Sequence, residues 1–226
     1  KNIQKNVKQN LKTCISDFEA LPNPKVKNDF DKIARIYDTL ARIVFGSVWR
    51  KVQLAPLGEL NKSRNVLIVG GGTGRMLCHL DENVNVTYLE LSQKMIDKAK
   101  MRETTAQVEF VKADFLLWQT ESKYDCVLMP FFLDCFTEHD MIAVINRTKS
   151  LLHQDGKLIV TDFQDAGLFR NQIVKLMYWF FNVVSGLKGK TLLDFQTVIL
   201  TRGYQLNSTE LFLNSWIFHS VYTTKK

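Results

Sequence analysis

The feature that most constrains this chain is an apolar, strand-like run that ends in a cluster of glycines. Residues 66–69 are apolar and mostly β-branched, and Gly70, Gly72 and Gly74 follow them. The next apolar residues, 76–80, predict a helix beginning at about Gly74. Glycine adopts positive φ freely and lets a ligand approach the backbone. A helix start adds unpaired N–H groups and a positive dipole end. The stretch therefore predicts a nucleotide-type cofactor pocket in an α/β fold.

The glycine spacing differs from that of dinucleotide-binding enzymes. Those proteins show G-x-G-x-x-G, whereas here Arg75 stands in the place of the third glycine. A second strand predicted over residues 84–89 ends in Glu90, an acid well placed to hold two ribose hydroxyls. NAD enzymes also use an acid there, so Glu90 alone does not discriminate. A third strand, predicted over residues 108–112, leads to Asp114 and Phe115.

Taken together, these segments resemble the motifs of a known family. The sequences VLIVGGGTG (66–74), LELSQKM (89–95) and VKADF (111–115) resemble the nucleotide-binding motifs of the class I S-adenosylmethionine (SAM) methyltransferases. The resemblance covers about residues 65–163 and extends less clearly to the C-terminus. It implies a Rossmann-like, mostly parallel seven-stranded sheet with an antiparallel final strand. It also implies SAM as the cofactor, bound by Gly70, Gly72, Thr73, Gly74, Glu90, Leu91, Asp114, Phe115, Met129 and Pro130.

Each of these residues has an implied role. The glycines admit the methionine end of SAM, Glu90 takes the ribose diol, and Asp114 accepts the adenine amino group. One position departs from the family, which usually has Asp or Glu where this chain has Ile68. That acid helps to bind the methionine amine, so its absence either reduces the affinity for SAM or leaves the task to Asp134 or Asp162.

A second, partial resemblance concerns the N-terminal segment. Residues 30–49 are similar to the leader of the ubiquinone/menaquinone methyltransferase branch, which implies a hydrophobic, quinone-like or lipid-like acceptor. This chain departs from the branch at Ala41 and lacks its later glutamate-containing strand motif, where Thr161-Asp162-Phe163 stands instead. The matching residues are Phe30, Ala34, Tyr37, Asp38, Gly46 and Trp49.

The chain divides into a helical preface or cap over residues 1–60 and a methyltransferase domain over residues 61–226. Lysines at helical spacing give the preface a basic stripe. A helical insertion at about 166–190 carries four basic residues, no acidic one, and an aromatic run at 176–181. We expect the acceptor to enter between preface and insertion, where the basic charge is also compatible with peripheral membrane contact. No apolar run approaches the ~20 residues of a membrane span.

The remaining elements follow from periodicity and turn residues. We expect helices over 92–101, capped by Ser92, over 140–152, and over 193–202, stopped by Gly203. Further strands are expected over 125–129 and 157–162, the latter after an Asp155-Gly156 turn. Residues 204–213 and 216–223 predict a closing hairpin.

Methyl transfer by in-line displacement requires alignment, exclusion of water and, for a protonated acceptor, a base. Asp134 and Tyr37 are the candidate catalytic residues, although Asp134 is also explained as an acid at a helix N-terminus. The histidines and cysteines are scattered and offer no metal site. Dispersed cysteines and the absence of a secretory signal suit a cytoplasmic protein with a small-molecule substrate.

Three other functions compete with this interpretation. An NAD-type oxidoreductase is disfavoured by the glycine spacing. A nucleic-acid methyltransferase agrees with the net charge of +7, but Met129-Pro130-Phe131-Phe132 lacks the D/N-P-P-Y/F element of amino-adenine enzymes, so nucleic acid is not expected as a partner. A catalytically silent SAM-binding protein stays open because of Ile68.

Overall fold

The described residues form a single seven-stranded sheet with helices around it. The computed structural model describes residues 45–164 and 194–225. In chain order the elements are α1 (Val48–Leu54), α2 (Leu57–Leu60), β1 (Asn65–Val69), a 3₁₀ turn (Leu77–His79), β2 (Asn85–Glu90), α3 (Gln93–Lys100), β3 (Gln107–Lys112), β4 (Tyr124–Pro130), a second 3₁₀ turn (Leu133–Cys135), α4 (Glu138–Leu151), β5 (Leu152–Phe163), α5 (Phe195–Thr201), β6 (Tyr204–Phe212) and β7 (Ile217–Thr224).

The strand order is β3-β2-β1-β4-β5-β7-β6. Strands β1 to β5 pair in parallel, and β7 runs antiparallel between β5 and β6. This arrangement confirms the predicted mostly parallel, Rossmann-like sheet with an antiparallel final strand. Because parallel strands point the same way, the carboxyl ends of β1, β2, β4 and β5 meet at one edge of the sheet, where ligands bind in such folds.

Both faces of the sheet are covered by apolar side chains. On one face α4 and α5 contribute Met141, Val144 and Ile199 to a core that includes Leu67 and Val127. The opposite face buries a second cluster of residues from β1, β4 and α2: Val66, Ile68, Cys126, Leu128 and Leu60. Burial on both sides explains why the central strands read as unbroken apolar runs.

The helices α1 and α2 contact the sheet at different places, α1 at its carboxyl-end edge and α2 farther back, at Lys157 of β5. Trp49 and Val52 of α1 pack with Phe163 at the end of β5 and with Ile217 at the start of β7. An ion pair between Glu59 and Lys157 ties α2 to β5. Helix α1 of the predicted cap therefore lies directly beside the edge where the cofactor motifs meet.

The structure differs from the sequence prediction after the glycines. In place of a helix over residues 74–80 it has the 3₁₀ turn Leu77–His79. The chain must reach the start of β2 at Asn85, and the Val84 N–H already donates to the Asp81 carbonyl at 3.1 Å in the intervening turn. Gly74 has φ +69°, outside the helical range, and the N–H groups of Leu77, His79 and Leu80 each donate to the carbonyl three residues earlier, so the segment forms 3₁₀ rather than α-helical hydrogen bonds.

Other predicted boundaries are close to the observed ones. Ser92 caps α3 as predicted, accepting from the Met95 N–H at 3.2 Å. Gly203 follows α5 with φ +81°, as expected for a helix stop. The predicted turn at Asp155-Gly156 lies inside β5, where Asp155 has φ +64° and the pairing with β4 shifts between Tyr124 and Cys126.

Several predictions fall on residues outside the described ranges. They are the lysine stripe of the preface, Tyr37, most of the segment resembling the quinone branch, and the insertion at 166–190. Within the ranges that are described, no helix is long and apolar enough to cross a membrane.

Candidate cofactor and acceptor site

The three glycines of the loop after β1 have different surroundings. Gly70, Gly72 and Gly74 all adopt positive φ, at +68°, +63° and +69°. A Cβ built on Gly72 would meet no described atom within 4 Å, whereas one on Gly74 would stand 2.7 Å from the Ala99 Cβ. Gly72 therefore presents its backbone to open space, and Gly74 allows the loop to pack against α3.

Neighbouring side chains hold this loop in place. The buried Tyr88 hydroxyl donates to the Gly72 carbonyl at 2.9 Å, and Arg102 Nε donates to the Thr73 carbonyl at 3.1 Å. Neither Tyr88 nor Arg102 was predicted as a residue of the site. Tyr88 lies within an apolar strand pattern, and nothing local marks Arg102 as a contact of a loop so far along the chain.

Glu90 lies beside the same loop at the end of β2. It is only 7% exposed. Its Oε2 accepts from the Gly72 N–H at 3.1 Å and its Oε1 from the Ser92 N–H at 3.0 Å. A carboxylate oxygen can accept more than one hydrogen bond, so this geometry leaves Glu90 able to receive hydroxyl groups. Leu91, the next residue, is 43% exposed.

Asp114 and Phe115 follow β3 but face different environments. Asp114 is exposed, and its Oδ1 accepts from the Leu116 N–H at 2.8 Å. Phe115 is buried in the core beneath α4, with the Arg147 guanidinium 5.5 Å above its ring. Burial lowers the pKa of Arg147, and the Asp114 charge opposes that shift. Asp114 is thus available at the surface, whereas Phe115 is a core residue.

The end of β4 turns sharply at Phe131. This residue has φ +50°, a conformation that costs about 1–2 kcal/mol for a residue with a Cβ. Its N–H donates to the Thr161 carbonyl at 2.6 Å, and its ring packs at 5.0 Å from Trp49 and 4.8 Å from Phe163. Backbone strain of this kind is concentrated at functional sites. Met129, two residues earlier, is fully buried.

The Asp162 carboxylate accepts backbone hydrogen bonds from the neighbouring turn. It is completely buried; its Oδ2 accepts from the N–H groups of Leu133 and Asp134, and its Oδ1 from that of Phe163. Burial, together with the nearby Asp134 charge, raises the pKa of Asp162 well above its usual range. Asp134 itself is half-buried.

A buried Thr161–His219 pair lies at the base of the cleft. Thr161 Oγ1 and His219 Nδ1 are 2.9 Å apart. Burial lowers the pKa of His219 to about 4, so its ring is neutral near pH 7. Sequence reasoning noted His219 only as a scattered histidine, because its partner is far away in the chain.

The loop and the aromatic residues border one cleft. Of the predicted cofactor residues, Gly70, Gly72, Thr73 and Pro130 line it, and Glu90 adjoins it through its bond to Gly72. Gly74, Phe115 and Met129 pack away from it, and Tyr37 lies outside the described residues. The full lining is Trp49, Val52, Gln53, Pro56, Gly70, Gly71, Gly72, Thr73, Arg75, Met76, Pro130, Phe131 and Thr161.

The predicted substitutes for the acid missing at position 68 are placed differently. Ile68 is fully buried within the core. Asp162 is occupied by backbone N–H groups, and of the two only Asp134 is partly accessible. Across residues 45–164 and 194–225, no group of three or more histidine, cysteine or acidic side chains could hold a metal ion.

Comparison with known proteins agrees with this geometry. Residues 66–156 match a family described as a methyltransferase domain. A curated relative, the malonyl-[acyl-carrier protein] O-methyltransferase of Priestia megaterium, is 23% identical over 141 residues, which are 61% of this chain and 51% of that protein. The chain thus spans about half the length of this relative.

Solved structures share the fold at low sequence identity. The mitomycin 7-O-methyltransferase MmcR has a TM-score of 0.66 at 15% identity, over 87% of this chain and 60% of that one. The N-methyltransferase NodS of Bradyrhizobium japonicum, in complex with S-adenosylhomocysteine (SAH), has a TM-score of 0.65 at 16% identity, over 88% of this chain and 100% of that one. A DhpI–SAH complex has a TM-score of 0.62 at 17% identity, over 88% of this chain and 97% of that one.

Proposed function

We propose that this chain, which carries a class I SAM-dependent methyltransferase domain and has SAM as its cofactor, transfers a methyl group to a small, hydrophobic acceptor. One observation carries the proposal. The cofactor loop at Gly70–Thr73 and the aromatic side chains of Trp49 and Phe131 border the same cleft. Cofactor and apolar acceptor can therefore meet at the ends of β1, β4 and β5.

The residues around the loop fit the cofactor. Gly72 has open space where a side chain would stand, which admits the methionine end to the backbone. Glu90 would hold the ribose diol, and the exposed Asp114 would accept the adenine amino group. When bound, SAM supplies an electrophilic methyl group on a sulfonium, which needs no covalent enzyme intermediate.

The chain's own contribution is alignment and exclusion of water. The rings of Phe45, Trp49, Phe131 and Phe163 pack together in stacked and tilted pairs at centroid distances of 4.8–5.9 Å and form an apolar wall. Asp134 is the candidate base within the described residues, because it is partly accessible and adjoins the buried Asp162. Tyr37 is the second candidate from the sequence.

Calorimetry with SAM, SAH and NADH tests the cofactor assignment. We expect SAM and SAH to bind and NADH not to bind. Glu90→Ala should weaken SAM binding by about 1.5–3 kcal/mol, the value of hydrogen bonds to a charged group. Glu109→Ala, which removes an exposed glutamate from β3, is the matched control and should bind SAM normally. Binding of NADH without SAM would show that the assignment is wrong.

A catalytically silent SAM-binding protein is the second candidate. The observation that favours it is Ile68, which is buried in the core where relatives use an acid for the methionine amine. Release of SAH from SAM in the presence of hydroxyl, amine and hydroquinone acceptors separates the two. Tight SAM binding with no SAH formed from any acceptor would favour the silent protein.

The acceptor class remains a proposal of its own. We propose a quinone-like or lipid-like molecule, supported by the aromatic wall and by aromatic side chains that offer apolar area at little entropic cost. Similar proteins named for O- and N-methylation leave either atom open as the acceptor. Co-sedimentation with anionic and neutral liposomes tests the additional proposal of peripheral membrane contact, for which only anionic vesicles should be effective.

A further inference from the structure

One residue that lines the cleft carries a buried polar atom that the described part of the fold leaves without a partner. Trp49 is 4% exposed and lines the cleft. Its indole Nε1–H is buried and finds no hydrogen-bond acceptor among the described residues. Buried N–H groups are almost always paired, because leaving one unpaired costs free energy. An unpaired donor at the edge of a binding cleft therefore points to a ligand atom.

The surrounding side chains restrict what that atom belongs to. The Trp49 ring is held between Phe45 at 4.9 Å and Phe131 at 5.0 Å, so it cannot swing away to find another partner without breaking both contacts. Val52, Pro56 and Pro130 complete an apolar wall around it. An indole nitrogen donates and never accepts, so its partner must offer a lone pair.

We propose that Trp49 determines acceptor specificity by donating its indole N–H to an oxygen on a flat, apolar acceptor. The acceptor is thus a planar ring system with a carbonyl or ether-type oxygen on the edge that enters the aromatic cleft. This inference rests on the proposed function, since it assigns the acceptor part of the same site. It adds the polar group that an aromatic wall alone lacks.

The test uses two ligands of nearly the same shape with SAH-loaded protein. 1-Tetralone carries one carbonyl oxygen, and tetralin replaces it with a methylene. We expect wild type to bind 1-tetralone about tenfold more tightly than tetralin, the effect of satisfying one buried donor. Trp49→Phe keeps a ring and removes the donor, so the preference should fall to about twofold or less. Trp118→Phe is the matched control. It changes a half-buried tryptophan that packs against the core beneath α4, and it should keep the preference for 1-tetralone over tetralin.

Nitrogen-15 NMR provides a readout that packing alone does not change. The chain has four tryptophans, so four indole N–H peaks are expected, and the Trp49 peak is the one missing from Trp49→Phe. It should shift downfield with 1-tetralone and not with tetralin. If Trp49→Phe does not fold, variants of the other tryptophans assign the peak by elimination and the shift is measured on wild type.

The outcomes separate this inference from the proposed function. Failure of wild type to bind SAH contradicts the proposed function itself. If SAH binds but the two ligands bind equally, or neither binds, or Trp49→Phe keeps the preference, the inference about Trp49 is overturned while the cofactor assignment stands.

Discussion

Two adjacent glycines of the cofactor loop should respond to alanine in opposite ways. Gly71 does not have positive φ, but a Cβ there would stand 2.5 Å from the Tyr88 ring atoms Cε2 and Cζ. Gly72 has φ +63° and open space around the corresponding Cβ position. The first substitution therefore meets a steric obstacle inside the protein, whereas the second meets backbone strain and projects a methyl group into the cleft.

The magnitudes follow from these surroundings. Tyr88 is fully buried and its hydroxyl is bonded to the Gly72 carbonyl, so it cannot move aside easily. Gly71→Ala should lower the free energy of unfolding by about 2–4 kcal/mol, an overpacking cost of about 1–3 kcal/mol plus a weakened hydrogen bond. Gly72→Ala should cost only the left-handed conformation, about 1–2 kcal/mol.

The effects on SAH binding should have the reverse order, with Gly72→Ala the more damaging of the two substitutions. If Gly72 lies against the cofactor as we propose, the added methyl group would enter that space, and Gly72→Ala should weaken SAH binding at least about tenfold, which corresponds to about 1.4 kcal/mol. Gly71→Ala, measured where it is fully folded, should weaken SAH binding less, by about threefold, because it disturbs only the Tyr88 contact that holds the loop. Urea unfolding and calorimetry with SAH provide the two quantities. Normal SAH binding by Gly72→Ala would refute the assignment of this glycine to the cofactor, and normal stability of Gly71→Ala would refute the fixed position of Tyr88.

Two further predictions concern His219 and Phe131. Burial lowers the pKa of His219 from 6.5 to about 4. Between pH 6.5 and pH 4 the unfolded chain therefore binds a proton that the folded chain does not. The free energy of unfolding should fall by up to about 3 kcal/mol as the pH drops through this window. His219→Gln should remove that part of the slope between pH 7 and pH 5 in urea unfolding; an identical slope in wild type and variant would contradict it. At Phe131, where φ is +50°, glycine should be more stable than alanine by about 1 kcal/mol although both lose the ring. Denaturation of Phe131→Gly and Phe131→Ala in parallel measures this, and an alanine variant as stable as the glycine one would argue against the strain.

Local sequence patterns predicted the parts of the fold that local chemistry determines. The glycine turn after β1, the Ser92 cap of α3 and the stop at Gly203 each depend on one residue type at one position. The resemblance supplied the antiparallel final strand, which periodicity alone would not give. The helix expected over residues 74–80 was wrong because Gly74 has positive φ and the residues after it form hydrogen bonds of the 3₁₀ type.

The site was harder to predict because parallel strands are buried on both faces. Along such a strand there is no polar–apolar alternation to show which side chain faces which layer. The resemblance placed both Met129 and Pro130 beside the cofactor, but Met129 is buried in the core and only Pro130 lines the cleft. The Thr161–His219 pair was missed for a different reason: it joins β5 to β7, and no spacing rule connects residues so far apart.

The short turn after the glycines changes how the loop can bind a cofactor. A full helix would give the loop a positive dipole end and several aligned N–H groups, but a three-residue 3₁₀ turn offers little of either. The rigidity of the loop must then come from its neighbours, and the contacts of Tyr88, Arg102 and Glu90 with Gly72 and Thr73 provide it. Those contacts fix the backbone before any ligand arrives, so less ordering cost remains for binding. In this chain the affinity for the cofactor should therefore depend on residues of β2 and of the loop after α3 as well as on the glycines that first indicate the site.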